Sequence, residues 1–151
     1  MRAGVRVVTF AALNYVTNLV RLLRGNRELR PLVAVYYLTT RCNLNCAYCE
    51  DFGQRRNADA IAPVPLDDAL RILRVIRTGT DRLILTGGEP LLHPDAAELV
   101  RRARTEHRFR HVTLQTNGLL LSEREAVLPA IDRLVVSLDT VDPDLWSCLL
   151  Y

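Results

Sequence analysis

Residues 32–49 read LVAVYYLTTRCNLNCAYC, an apolar run that passes directly into a cysteine-rich loop. Residues 32–38 are continuously apolar and rich in β-branched and aromatic side chains, which is typical of a strand covered on both faces. The loop that follows carries Cys42, Cys46 and Cys49. The stretch therefore predicts a buried strand that presents three thiols at its carboxyl end.

The same order of apolar strand, polar turn and amphipathic helix recurs along the chain. The predicted elements are strands at residues 82–85, 111–115 and 133–138 and helices at residues 66–78, 95–105 and after the capping box of Ser122 and Glu125. Alternating strands and helices predict an α/β fold with a parallel sheet and right-handed crossovers.

Polar or glycine-rich turns follow all four predicted strands. These turns are residues 39–42, 86–89, 116–118 and 137–139. The carboxyl ends of parallel strands meet at one edge of the sheet, and ligands of such folds bind there. We therefore expect the four turns to gather on one rim.

The composition excludes several functional classes. The chain has 151 residues, a formal net charge of +3 and 25% charged residues, which is typical of one globular domain or a piece of one. Its 20 basic residues are all arginine. Four cysteines are too few for a disulfide-rich secreted scaffold, and no apolar run is long enough to span a membrane. The mild charge gives no reason to expect a nucleic-acid partner, and the clustered thiols favour a reducing, cytoplasmic location.

Residues 5–24 have the pattern of an amphipathic helix. Its apolar stripe is Leu13, Val16, Val20 and Leu23, and its polar stripe is Asn14, Thr17, Asn18, Arg21 and Arg24. The favoured interpretation is a helix packed on the following domain. A second is an interfacial membrane helix, because arginines flank the apolar stripe. A signal peptide is the weakest interpretation, since asparagines interrupt the apolar region and no small-x-small cleavage site follows.

The cysteine loop has the spacing C-x3-C-x2-C, from Cys42 to Cys49. Soft thiolates suit both iron–sulfur clusters and zinc. Three protein ligands leave one position open, where chemistry or a substrate can enter. The alternative is a zinc site completed by His93 or Cys148, although structural zinc ligands usually come as two pairs.

Four motifs together resemble the radical S-adenosylmethionine (radical SAM) enzymes. They are the CxxxCxxC loop of residues 42–49, the GGEP of residues 87–90, the TNG of residues 116–118 and the VSLD of residues 136–139. Each follows or ends a predicted strand, and the resemblance covers about residues 32–146. It implies a parallel-sheet partial (βα) barrel of six strand–helix units, of which only about four are present here, preceded by the N-terminal amphipathic helix.

The resemblance implies that Cys42, Cys46 and Cys49 bind a [4Fe–4S] cluster, whose fourth iron binds S-adenosylmethionine. In that family an electron from the reduced cluster cleaves the sulfonium carbon–sulfur bond. The resulting 5′-deoxyadenosyl radical abstracts a hydrogen atom from the substrate, which this sequence does not identify.

The resemblance also implies a set of cofactor-binding residues: Tyr48, Gly87, Gly88, Glu89, Pro90, Asn117, Ser137 and Asp139. Tyr48 is expected against the adenine. The two glycines are expected to let the backbone approach the methionyl end, and Glu89 to lie near its amino group. Pro90 is expected to rigidify the turn, and Ser137 to donate to the carboxylate or ribose.

Two segments are expected: residues 1–31, the N-terminal helix and linker, and residues 32–151, a partial radical SAM domain that ends within the fourth strand–helix unit. The incomplete sheet is expected to expose an unpaired edge that allows self-association. Further expected partners are an electron donor such as flavodoxin or ferredoxin and a membrane surface contacted through residues 1–30. Two alternatives stay open: a non-catalytic remnant that only binds the cluster, and a zinc-binding interaction domain.

Overall fold

The computed structural model describes residues 10–46, 49, 62–138 and 142. The expectations for Tyr48, Asp139 and Cys148 fall outside this part of the chain. Its helices and strands are α1 (Phe10–Leu23), β1 (Ala34–Tyr37), α2 (Leu66–Gly79), β2 (Arg82–Thr86), α3 (Ala96–Thr105), β3 (His111–Thr116) and β4 (Arg133–Val136), with short 3-10 helices at Pro90–Leu92 and Glu125–Ala130.

The four strands form one sheet in the order β1-β2-β3-β4, and each neighbouring pair is parallel. The predicted α/β fold with a parallel sheet is therefore confirmed. Tyr37 is in register with Thr86, and Thr116 with Val136. The carboxyl ends of the strands consequently align, and this alignment brings the turns that follow them to one rim.

The hydrophobic core lies on one face of the sheet, between the strands and the helices. Its members include Leu73 of α2, Leu83 and Leu85 of β2, Leu99 and Val100 of α3, Phe109, and Val112 and Leu114 of β3, all at most 2% exposed. Because side chains alternate along a strand, the intervening residues point to the opposite face. Among the described residues, α2 and α3 thus cover one face of the sheet, as expected for one arc of a barrel wall.

Two predicted buried strands are more exposed than expected. In β1, Val35 is 49% and Tyr37 52% exposed, and all four residues of β4 are exposed. Within the described residues β1 and β4 are the two edges of the sheet. An apolar run indicates that a strand can be covered on both faces, but it does not show that other elements cover it.

The helices α2 and α3 follow their predicted patterns. Leu70 and Leu73 of α2 are buried at helical spacing, and Asp67 and Asp68 lie in its first turn, where acidic side chains favour the helix dipole. The predicted helix after Ser122 is different. Residues Glu125–Ala130 form a 3-10 helix that contains Pro129, and the predicted capping box is wrong because Arg124 is its N-cap residue and makes no side-chain bond.

Helix α1 is present and packs on the following domain, as the favoured interpretation expects, but it packs through its polar stripe. Asn14 and Asn18 are buried against the domain, whereas Leu13, Val16 and Leu23 are exposed. In the described part of the chain, no helix combines the length and apolarity needed to cross a bilayer.

Candidate active site

A cavity of about 160 Å³ opens at the carboxyl rim of the sheet. It is lined by Cys42, Leu44, Cys46 and Cys49 from the loop after β1, by Thr86, Gly87 and Gly88 at the end of β2, by Gln115, Thr116 and Asn117 at the end of β3, and by Ser137 after β4. Residues from all four strand ends therefore meet around one space, which is where parallel sheets bind their ligands.

Gly87 and Gly88 let the turn after β2 touch the backbone that leads to the cysteines. A Cβ atom on Gly87 would collide with the carbonyl oxygen of Thr39, and one on Gly88 with the carbonyl oxygen of Arg41. Gly87 also has a φ of +148°, a backbone conformation that residues with a side chain rarely adopt. The backbone N–H of Gly88 donates to Thr39 O over 2.9 Å. Both positions thus require glycine, because the turn after β2 lies in direct contact with the backbone of Thr39 and Arg41.

The cysteine loop has its own local hydrogen bonds. Leu44 N–H donates to the Cys42 Sγ atom over 3.4 Å, and Cys49 N–H donates to Cys46 O over 3.0 Å. Burial raises the pKa of the Cys42 thiol, and the nearby Glu89 carboxylate and the other two thiols raise it further, while the Leu44 N–H opposes the rise. A cationic iron centre would favour the thiolate at this position.

The Glu89 carboxylate is fully buried and accepts three hydrogen bonds. Its Oε1 atom accepts from Leu91 N–H over 3.0 Å and from the Thr116 hydroxyl over 2.7 Å, and its Oε2 atom accepts from Asn117 N–H over 2.9 Å. Its own backbone N–H donates to Arg41 O over 2.8 Å. Glu89 therefore ties the end of β3 to the turn after β2 through two residues that line the cavity.

Asn117 extends this network to the cysteine loop. Its side-chain amide donates to Asn43 Oδ1 over 2.8 Å, and its Oδ1 atom accepts from Leu119 N–H over 3.1 Å. Asn43 stands between the first two cysteines of the motif. A continuous chain of hydrogen bonds thus runs from the cysteine loop through Asn117 to Glu89.

Pro90 and His93 belong to the scaffold. Pro90 is buried and begins the 3-10 helix Pro90–Leu92. The His93 ring is also buried; its Nδ1 atom accepts from Asp95 N–H over 3.1 Å, and its Nε2 atom lies 3.1 Å from Val64 O. Both ring nitrogens are used in backbone hydrogen bonds, so His93 does not complete a zinc site in this arrangement.

Of the residues expected at the site, seven line the cavity: Cys42, Cys46, Cys49, Gly87, Gly88, Asn117 and Ser137. Glu89 and Pro90 are not among its lining residues. The sequence analysis assigned no role to Asn43, Leu44, Thr86, Gln115 or Thr116. Thr86, Gln115 and Thr116 carried a signal, because Thr116 belongs to the TNG motif and the other two adjoin a motif at a strand end.

The donor set fits an iron–sulfur cluster better than a single ion. Among the described residues, no group of three or more histidine, cysteine, aspartate or glutamate side chains is arranged to hold one metal ion. A cubane places its thiolate ligands on different irons, so thiols spread around one cavity suit it. The Asn45 Oδ1 atom, beside Cys46 in the sequence, is buried without a hydrogen-bond partner in this part of the chain.

Comparison with known proteins supports an iron–sulfur cluster at this site. Residues 36–150 match the family model of the Radical SAM superfamily. The chain therefore belongs to the radical SAM superfamily, whose enzymes use a [4Fe–4S] cluster and S-adenosylmethionine.

The names of individual relatives refer to different activities and ligands. The "Probable GTP 3′,8-cyclase" of Methanococcus aeolicus is 33% identical over 127 residues, which cover 81% of this chain and 41% of the relative. SuiB of Streptococcus suis bound to S-adenosylmethionine has a TM-score of 0.69 at 28% identity, over 92% of this chain and 32% of SuiB. SuiB bound to the precursor peptide SuiA gives 0.67 at 26% identity, over 92% of this chain and 31% of that one. The chain thus spans about two fifths or less of these proteins.

Proposed function

We propose that this chain supplies the cluster-binding and cofactor-binding part of a radical SAM enzyme. The observation that carries the proposal is the cavity that Cys42, Cys46 and Cys49 share with Gly87 and Gly88 at the strand ends. When bound, the cluster and S-adenosylmethionine supply one electron and a sulfonium bond, whose cleavage gives methionine and a 5′-deoxyadenosyl radical that abstracts hydrogen from a substrate.

The chain's own residues have distinct tasks in this proposal. The three thiolates bind three irons and leave one iron open to the cofactor. Asn117 and Ser137 line the same cavity and offer polar side chains to the cofactor. Tyr48 remains a candidate for contact with the adenine, Ser137 for the carboxylate or ribose, and Asp139 for cofactor binding. Direct contact of Glu89 with the amino group stays a prediction, and the three hydrogen bonds to its carboxylate favour a positioning role.

The substrate stays unassigned. The cavity of about 160 Å³ is smaller than the roughly 300–1,000 Å³ of ordinary small-molecule sites. Most of the surface around a nucleoside and a substrate must therefore come from residues that do not line it. One relative is named for GTP and another is seen with a peptide, so the part of the fold that they share with this chain fits more than one substrate class.

Further parts of the proposal concern organisation and partners. Residues 1–31 form an N-terminal helical segment, and residues 32–151 form the partial radical SAM domain. A flavodoxin or ferredoxin serves as the electron donor. The exposed edge strand β4 allows self-association. The proposed location is the cytoplasm.

Anaerobic reconstitution with iron and sulfide tests the proposal. We expect a brown protein with the absorbance and low-temperature EPR signal of a [4Fe–4S] cluster, and an altered EPR signal when S-adenosylmethionine is added. Cys46→Ser should lose the cluster. Cys148→Ser, which alters a cysteine outside the motif, is the matched control and should retain it.

Product analysis separates the catalytic proposal from its alternatives. Dithionite-reduced protein with S-adenosylmethionine should form 5′-deoxyadenosine. A cluster-loaded protein that never forms this product would support the non-catalytic remnant. A colourless protein that holds one equivalent of zinc and takes up no cluster would support the zinc-binding interaction domain.

A further inference from the structure

Helix α1 is fastened to the domain through its polar side. The Asn14 amide donates to Pro31 O and to Gly79 O, each over 2.7 Å. The Asn18 side chain donates to Arg30 O and accepts from Arg30 N–H, each over 2.8 Å. Both asparagine side chains are buried, so rotating the helix would break four hydrogen bonds to the domain backbone. These bonds fix which face of α1 points outward.

The start of α1 is fixed as well. The Phe10 N–H donates to Asp81 Oδ2 over 3.0 Å. The Arg77 guanidinium lies 4.9 Å from the centre of the Phe10 ring, a cation–π distance. Contacts at the beginning and along one side therefore hold the helix in one orientation.

The outward face of α1 is apolar around half of the helix circumference. Its exposed large side chains are Leu13, Val16, Leu19, Val20, Leu22 and Leu23, and their exposed fractions run from 41% to 80%. Tyr15 is exposed too, but it borders a cavity at the amino ends of the strands. A contiguous apolar patch of this kind on a soluble domain marks a surface that binds a partner or a membrane.

The charge of the chain is distributed unevenly around this face. Residues 1–30 contain six arginines and one glutamate, a net charge of +5, whereas residues 31–151 contain 14 arginines and 16 acidic residues, a net charge of −2. Arg24, Arg27 and Arg30 directly follow α1 and are exposed. Positive charge is thus concentrated next to the apolar face.

We propose that α1 is an interfacial helix that docks this chain on an anionic lipid surface. The apolar face enters the boundary between headgroups and acyl chains, and the arginines bind lipid phosphates. The 14 residues of α1 suit a helix that lies in the membrane plane. A lipid surface also accepts a broad apolar face without requiring a complementary shape, and its charge is opposite to that of residues 1–30.

Vesicle co-sedimentation of the 151-residue chain tests this proposal. We expect retention on vesicles of phosphatidylcholine mixed with phosphatidylserine at low salt, weaker retention at high salt, and little retention on phosphatidylcholine alone. Equal retention on both kinds of vesicle, or retention on neither, would overturn the proposal.

Paired variants locate the surface. Leu19→Gln with Leu23→Gln should weaken partitioning about tenfold or more, because each leucine contributes apolar area to the interface. Val75→Gln, at an exposed apolar position of α2, is the matched control and should leave it unchanged. Arg24→Gln with Arg27→Gln should weaken binding about tenfold at low salt, whereas Arg74→Gln on α2 should not.

Two further measurements complete the test. Circular dichroism should show that each variant is folded, so that lost binding reports the surface. Light scattering after size-exclusion chromatography separates lipid from a second copy of the chain. A wild-type dimer that Leu19→Gln with Leu23→Gln converts to a monomer would overturn the lipid proposal in favour of a protein interface.

Discussion

The Asn117 side-chain amide donates a hydrogen bond to Asn43 Oδ1 over 2.8 Å, and this bond joins the end of β3 to the middle of the cysteine motif. The two residues are 74 positions apart in the chain. Asn117 N–H donates to Glu89, so the same residue also contacts the turn after β2. One asparagine therefore holds three strand ends in a fixed relation around the cavity.

A double-mutant cycle tests this relation. Asn43→Ala and Asn117→Ala should each destabilise the reduced chain, and the double variant should lose less than the total of the two, with a coupling of about 0.5–1.5 kcal/mol. Urea unfolding under reducing conditions measures it. Asn26→Ala, which removes a side-chain bond to Glu28 N–H far from the site, is the control. Additive losses would mean that the two side chains act independently.

Glu89 should be far more sensitive to substitution than an exposed glutamate. Glu89→Gln replaces one acceptor oxygen with an amide that faces buried donors, which should cost about 1–3 kcal/mol. Glu89→Ala leaves all three donors unpaired and should cost more. Thermal unfolding monitored by circular dichroism measures both losses. Glu123→Gln, on an exposed side chain, should be neutral; a neutral Glu89→Gln would contradict the buried network.

Alanine substitutions at Gly88 and Gly25 separate two causes of lost stability, steric collision and an unfavourable backbone conformation. Gly88→Ala should destabilise the chain by about 2 kcal/mol or more, because its Cβ atom meets the backbone of residues 40 and 41. Gly25→Ala meets nothing within 4 Å, and its φ of +75° alone should cost about 1 kcal/mol. Denaturant midpoints measure the difference. Equal costs would show that the turns can separate without penalty.

Asn14 should control whether α1 stays attached. Asn14→Ala removes two hydrogen bonds from a buried side chain to the Pro31 and Gly79 carbonyls and should detach the helix locally. Hydrogen–deuterium exchange should then rise at least tenfold in residues 10–23 and little in α3. Thr17→Ala, a substitution in the same helix at a half-buried position, is the control. Unchanged protection in Asn14→Ala would mean that other contacts hold α1.

The sequence predicted the sheet and the rim because both follow from short-range signals. Apolar runs bounded by Thr86 and Thr116 predict strands, and one topological rule then places the turns after them together. That reasoning placed Cys42 and Gly88 at one site although 46 positions separate them.

What the sequence did not reveal depends on contacts between distant residues. The hydrogen bonds of Glu89 are one example, because a carboxylate in a motif gives no sign that Thr116 and Asn117 will donate to it. The orientation of α1 was unpredictable for the same reason, since it depends on the hydrogen bond that Asn14 donates to the carbonyl of Gly79, 65 residues away. An amphipathic pattern distinguishes two faces of a helix but does not say which is covered.

The backbone bonds from Gly88 and Glu89 to Thr39 and Arg41 involve no metal. The stem of the sulfur-bearing loop is consequently docked by protein alone. We therefore expect these bonds to persist when oxygen destroys the cluster, so that iron, sulfide and reductant restore it without refolding of the sheet.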